Sequence, residues 1–493
     1  MNDVAYLEVL RALLPEAVLT LTALVVLALD LSWGRHRAVP SRMRLAGWVS
    51  AAGCAVALGV IFGLSWPAEW KVPLVEISAR ILHYKAALLA LTLAVALLAA
   101  DTDFTPHAGE YFALVLLATV GLLLLVSANN LLLLFVALEL ASLSLYLLTA
   151  LDKRQPRSAE AGLKYFLFGS VAAACLLFGF SLLYGLSGEF YLQEIAARMP
   201  RGPLVLDPIL VLALALVVGG LAFKIAAVPF HLWAPDAYEG APAPSAALVA
   251  SGSKVASFLV LNGVVAVVFG PLGGNAHWGH FAAGWKPLLA LLAALSMVLG
   301  NLAALGQSNV RRLLAYSAIA HSGYALLAIV TRQELALAYY VITYGLAIVG
   351  AFGVVAVVEK QTGGAALEDF QGLARRSPVL AGALMVFLLS LAGIPPLAGF
   401  FGKFYVFLEA LREPAGAGGR PSLGLLYLVI LAIGMSAVSL YYYLQVLKYA
   451  YRGDAEESAA PWRASLGTWV ISALALAVIW LGCFPEWLLR YFR

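Results

Sequence analysis

Fourteen apolar blocks, each about as long as a bilayer is thick, fill the chain between residues 13 and 489. A helix needs about 20 apolar residues to cross a hydrocarbon layer of roughly 30 Å. Inside that layer every backbone amide must find its partner within the protein, so blocks of this length read as helices. Their limits are 13–33, 43–65, 78–99, 110–127, 129–151, 162–186, 206–228, 242–270, 284–305, 309–331, 334–358, 378–410, 423–450 and 466–489, numbered here as spans 1 to 14. Only 12% of the residues are charged and 63% are hydrophobic, about half the charge of a soluble domain. The expected fold is an all-α polytopic membrane protein of about 14 transmembrane helices. The net charge of +4 is spread over the loops without a basic run, so the lipid bilayer is an expected partner and nucleic acid is not. The first residues lack the positive segment and cleavage site of a signal peptide, so span 1 is expected to remain in the mature protein.

Lysine and arginine in short loops set orientation. The face carrying the loops after spans 1, 5, 9, 11 and 13 holds fifteen of them and the other face eleven. The richer face is therefore expected in the cytoplasm, with both termini outside. The remaining five of the 31 basic residues are Lys85, Lys164, Lys224, Lys254 and Lys403, all in or near spans. None is an arginine, and lysine can give up its proton in an apolar site where arginine cannot.

A charge within a span costs roughly 2.5–3.5 kcal/mol on insertion scales and marks a bundle interior or a hydrated path. Glu139 lies in the middle of span 5, with Ser142 three residues on; a glutamate there could move protons or only lock two helices together. Lys224 precedes Pro229 by five residues. That proline should break span 7 and free carbonyls near the lysine for a water chain. Lys403 follows a second break at Pro395-Pro396 in span 12, where Gly399 and Gly402 leave room for water or a neighbouring helix. Lys254 is flanked by Ser251 and Ser257, which predicts polar surroundings. Lys164, early in span 6, and Lys85, in span 3, are both within snorkelling reach of an interface, and snorkelling is the preferred reading of Lys85. His231, just after the first break, and His321, in span 10, could titrate near neutral pH, although lone histidines are more often satisfied structural groups.

Lys224 and Lys403 are 179 residues apart, and the same offset relates Asn130 to Asn309 and Tyr165 to Tyr344. It sets a broken span 7 on a broken span 12 and divides the chain into residues 1–109 with three helices, a five-helix unit at 110–270, another at 284–451, and a C-terminal part at 452–493. Five is odd, so the second unit crosses in the opposite sense. Two inverted repeats with discontinuous helices are a transporter signature. Three cysteines (Cys54, Cys175, Cys483) without a CxxC or His/Cys cluster, and no GxGxxG after a strand, point to no cofactor or metal site in this chain.

The stretch from Val228-Pro229-Phe230-His231 through Asp236-Ala237-Tyr238-Glu239-Gly240-Ala241-Pro242-Ala243-Pro244, with Lys254 ten residues on, resembles the antiporter-like membrane subunits of respiratory complex I. Ser390-Leu391-Ala392-Gly393-Ile394-Pro395 with Gly402-Lys403-Phe404, and Asn309-Val310-Arg311-Arg312 through His321, are similar to the subunit N type of NADH-quinone oxidoreductase in particular. The Tyr-x-Gly-Ala-Pro-x-Pro loop suits that type better than the M or L type, and the lack of room for a lateral helix speaks against the larger L type. The resemblance covers spans 4 to 13. It implies fourteen helices with two inverted five-helix repeats, and proton translocation at Glu139, Lys164, Lys224, Lys254 and Lys403. It implies flavin and iron–sulfur clusters only in partner subunits. The partners it implies are sibling antiporter-like subunits, the lateral helix of the L-type subunit and other membrane-arm subunits of a bacterial inner membrane. Two relatives share these lysines, a multi-subunit Na+/H+ antiporter and a membrane-bound hydrogenase, and a purely structural scaffold is the remaining reading.

Overall fold

A computed structural model describes residues 3–67, 69–72, 74–199, 207–276, 281–412, 423–452, 462 and 464–492. Among them, twelve helices are long and apolar enough to cross a membrane. The seventh and twelfth spans are the exceptions, each being broken into two helices. Span 7 runs Pro208–Lys224, breaks, and resumes at Trp233–Gly240. Span 12 runs Pro378–Ala392, breaks, and resumes at Ala398–Arg412. Both breaks contain a cis proline bond, Val228-Pro229 and Pro395-Pro396. Span 8 is helical throughout but carries a π turn at Val249–Ser253, immediately before Lys254.

The expectation of an all-helical chain misses one element. Glu69–Val72 and Val75–Ser78 form an antiparallel hairpin between spans 2 and 3. Each strand has only four residues, too few to show a period of two against the apolar background.

Spans 4 and 5 pack as spans 9 and 10 do, and the detail is sharp. A Cβ on Gly121 would lie 2.6 Å from the Ala141 nitrogen, and one on Gly300 would lie 2.5 Å from the Ala320 nitrogen. Both glycines and both alanines keep the 179 offset. Asn130 and Asn309, also in register, each cap the following helix through their side chains. Gly121→Val should therefore push spans 4 and 5 apart and cost about 1–3 kcal/mol, in the range of overpacked cores. A lowered unfolding temperature of the detergent-solubilised chain would register it.

The offset does not hold to the end of the unit. Spans 6 and 11 close on left-handed glycines, Gly188 and Gly363, 175 apart, and the two cis prolines Pro229 and Pro396 are 167 apart. Lys224 ends the helix before its break, whereas Lys403 lies in the helix after its own. The pairing of these lysines by a shared offset of 179 is thus a coincidence of numbering. Shortening of the second unit between spans 10 and 12 separates their structural positions.

Lys85 overturns its sequence reading. It is fully buried and forms an ion pair of 2.6 Å with Glu16 of span 1. Snorkelling fails because the carboxylate is available at the same depth. On the opposite face, Asp30 ties spans 1, 2 and 4 together: its oxygens accept two hydrogen bonds from Arg42 and one from the Gly109 amide.

A buried polar chain through the middle of the bundle

Span 5 supplies the first link. Leu131–Thr149 is helical, so Glu139, Ser142 and Tyr146 succeed one another at steps of three and four on one side. Lys224 Nζ donates to Ser142 Oγ at 2.6 Å and to Tyr146 Oη at 3.1 Å. Glu139 is within electrostatic reach of Lys224, but among the described residues no ion pair joins them. Its Oε1 is buried without a hydrogen-bond partner.

The break after Lys224 frees carbonyls, as Pro229 predicts, but protein donors take them up. Ala222 O accepts from the Ala227 amide, and Phe223 O accepts from the Trp233 indole at 3.0 Å. Ile225 O accepts from Ser322 Oγ at 2.5 Å. That last bond matters, because Ser322 Oγ also accepts from Lys254 Nζ at 2.9 Å. Lys254 completes its set with Ala318 O at 2.6 Å. The polar surroundings of Lys254 thus come from span 10 and not from its own serines; Ser251 Oγ turns back to Ala247 O.

His321, beside Ser322 on span 10, continues the chain. Its Nδ1 is 2.7 Å from Tyr340 Oη, and its Nε2 is 3.3 Å from Tyr443 Oη. Tyr443 in turn bonds Ser317. The ring feels the charge of both Lys254 and Lys403. Lys403 Nζ stands 4.8 Å from the centre of the Tyr324 ring, whose edge meets His321. It donates to Ala392 O at 3.0 Å, a carbonyl freed by the second break, and to Ser436 Oγ at 2.7 Å. Gly402 makes room for the Tyr340 ring rather than for water. Lys224, Lys254, Lys403 and His321 are all 5% exposed or less. A charged group so placed survives only with its donors matched, which these hydroxyls and carbonyls provide.

Lys164 and His231 stand outside that chain. Lys164 is 41% exposed and pairs with Glu160 and with Asp236 Oδ2, both at 2.8 Å. Asp236 lies on the second half of span 7, and its other oxygen takes Arg312 at 2.7 Å; Arg312 also reaches Glu239 at 2.8 Å. Arg157, Glu160, Lys164, Asp236 and Glu239 line one open cavity of about 270 Å³. Aromatic rings connect this cluster to Lys224: Tyr165, next to Lys164, stacks flat on Trp233 at 4.1 Å and meets Tyr146 edge-on at 4.6 Å. His231 is half-buried within the break and bonds neither Glu139 nor any lysine described above.

Sequence reasoning missed the polar and aromatic groups that surround the charges: Tyr146, Asp236, Ser322, Tyr324, Tyr340, Tyr443 and Ser436. One signal was available. Span 10 places Ser317, His321 and Ser322 together in the almost wholly buried stretch of a helix that, past Arg311 and Arg312 at its start, is otherwise apolar or aromatic.

Residues 128–415 match the family described as NADH:quinone oxidoreductase/Mrp antiporter, TM. The chain is 49% identical to NADH-quinone oxidoreductase subunit N 2 of Acidobacterium capsulatum over the full length of both. It is 39% identical to subunit N of Desulfovibrio desulfuricans, over 97% of this chain and 95% of that one. Among solved structures, a chain of respiratory complex I from Thermus thermophilus aligns with a TM-score of 0.77 at 35% identity, covering 97% of this chain and 98% of its own. A chain of the Mrp complex from Dietzia sp. has the same fold at 21% identity and a TM-score of 0.77, over 97% of this chain and 96% of its own. With the family pattern across more than half of its length and full-length likeness to subunits N, the chain belongs to the NADH:quinone oxidoreductase/Mrp antiporter membrane family, on its subunit N branch.

Proposed function

We propose that the chain is the proton-translocating, non-redox subunit N of a membrane-bound NADH-quinone oxidoreductase, and that Glu139, Lys224, Lys254 and Lys403 carry the proton. The observation that carries this reading is the placing of the buried lysines at the break: Ser142 and Tyr146 hold Lys224, and Ser322 bonds Lys254 to Ile225 O, the carbonyl next along the backbone from Lys224. A scaffold has no need of three buried lysines, one of them bonded through a hydroxyl to the carbonyl beside another.

Lys224 has two alternative sets of partners on one helix. Ser142 and Tyr146 hold it here, and Glu139 lies less than one 5.4 Å turn before Ser142. A swing of the side chain toward Glu139 would hold the ammonium charged, and a swing away would favour release. Moving one proton against about 150 mV costs roughly 3.5 kcal/mol, at 2.3 per 100 mV. At 1.36 kcal/mol per pKa unit, a change of two to three units on one lysine is of that size. Lys254 relays the proton past His321, and Lys403 passes it outward. Lys164, with Asp236, forms the cytoplasmic approach, and both termini lie on the outer side of a bacterial inner membrane. Flavin and iron–sulfur chemistry belong to partner subunits, with sibling antiporter-like subunits and the L-type lateral helix as neighbours in the membrane arm.

Turnover-driven acidification of vesicles tests the core of this reading. Lys224→Ala and Glu139→Ala should each assemble and lose most of the proton flux credited to this subunit. Assembled complexes of both variants that pump at the unaltered rate would overturn it.

A further inference from the structure

An apolar cleft of about 880 Å³ opens between spans 2, 3, 11 and 14, lined by no residue of the polar chain. Ala87 and Ala90 of span 3 hollow it out, and Phe62, Leu346, Leu476 and Trp480 wall it. At its end, beside the 69–78 hairpin, Tyr491 and Phe492 close it, with Tyr491 against His83 and Phe492 stacked on Tyr84. The same two rings also line a second, polar hollow of about 500 Å³, where Arg80, Glu76, Ser78 and Glu334 meet. Arg80 heads span 3 and Glu334 heads span 11, two of the spans that wall the cleft. They form an ion pair in that hollow, on the far side of the Tyr491 and Phe492 rings from the cleft, with 47% and 44% of their side chains exposed.

The dimensions narrow the occupant. Along span 3 the cleft runs from His83 to Leu91, about 12 Å at 1.5 Å per residue. A spanning helix of a neighbouring protein would need roughly 30 Å. One leaflet of acyl chain needs about half that. The charges narrow it further. An anionic headgroup would have to displace Glu334 from Arg80 and then sit among carboxylates. A headgroup with both signs can enter the ion pair and satisfy each side, its phosphate on Arg80 and its ammonium on Glu334 and Glu76.

We propose that this amphipathic cleft binds one phospholipid with an ammonium headgroup, of the phosphatidylethanolamine kind, as a component held by the protein rather than exchanged with the bilayer. The proposal stands apart from the pumping reading.

Native mass spectrometry of the assembled complex in mild detergent tests it. Ala87→Phe with Ala90→Phe should lose one phosphatidylethanolamine per copy of this chain, and Arg80→Gln should lose the preference for that headgroup. Cys483, exposed and lining the cleft, provides a reading that needs no core substitution. In a Cys175→Ala background its alkylation by an apolar maleimide should be slow, speed up on delipidation, and slow again with phosphatidylethanolamine vesicles but not phosphatidylglycerol vesicles. An unchanged phospholipid count in the filled variant overturns the proposal. So does Cys483 protection that persists after delipidation, which would mark a polypeptide in the cleft.

Discussion

Lys224→Arg slows proton translocation by about 100- to 1000-fold while leaving the chain assembled. The ammonium of Lys224 is held by two hydroxyls, Ser142 and Tyr146, and a guanidinium has donors enough for both. The positive charge, the packing and the electrostatic reach to Glu139 therefore persist. What changes is the cost of losing the proton. Arginine holds its proton about two to three pKa units more tightly than lysine, or roughly 3–5 kcal/mol at 1.36 per unit. That is as large as the work of moving a proton across the membrane, so the step stalls. The variant thus separates charge from exchange, which Lys224→Ala cannot do. Acidification of vesicles during turnover, normalised to assembled chain, is the measurement. An arginine variant that pumps at the unaltered rate would remove Lys224 from the proton path.

The breaks and the lysines beside them were legible because each is announced by a rare residue in a uniform background. A proline inside an apolar block predicts an interrupted helix for a covalent reason, and both breaks fall where Pro229 and Pro395-Pro396 place them. Span limits were legible to within a few residues for most blocks, but span 7, read as 206–228, runs on after its break to Gly240, a stretch whose Pro and acidic residues hide it as a loop. The partners of the charges were not. Serine and tyrosine are common in membrane helices, and nothing local distinguishes Ser322, which links Ile225 O to Lys254, from Ser251, which turns back on its own helix. Only the crossing of span 10 beside the break selects one over the other.

Numbering misled where chain length differs between the two units. The 179 offset is real at Gly121 and Gly300, where backbones touch and no insertion is tolerated. It lapses by the breaks, since loops between spans accept length changes at little cost. Lys403 therefore lies in the helix after its break, whereas Lys224 ends the helix before its own.

Lys85→Met should destabilise the chain by about 3–5 kcal/mol, the range for removing one partner of a buried ion pair. Glu16 is 4% exposed and its Oε2 lacks a partner, so among the described residues the bond from Oε1 to Lys85 is the carboxylate's only hydrogen bond from a side chain. Without it an uncompensated charge remains inside spans 1 to 3, against a total stability of only about 5–15 kcal/mol for a typical domain. The expected result is a much reduced amount of folded chain in the membrane and a lower unfolding temperature in detergent. Adding Glu16→Gln to Lys85→Met removes the stranded charge and should restore most of the loss, whereas Glu16→Gln alone strands the ammonium instead. Pumping per assembled chain in the double variant should equal that of the unaltered protein, because the pair joins span 1 to span 3 and shares no hydrogen bond with the chain from Lys224 to Lys403. A double variant that assembles fully but pumps poorly would place Lys85 among the proton carriers and extend the path into the first three spans.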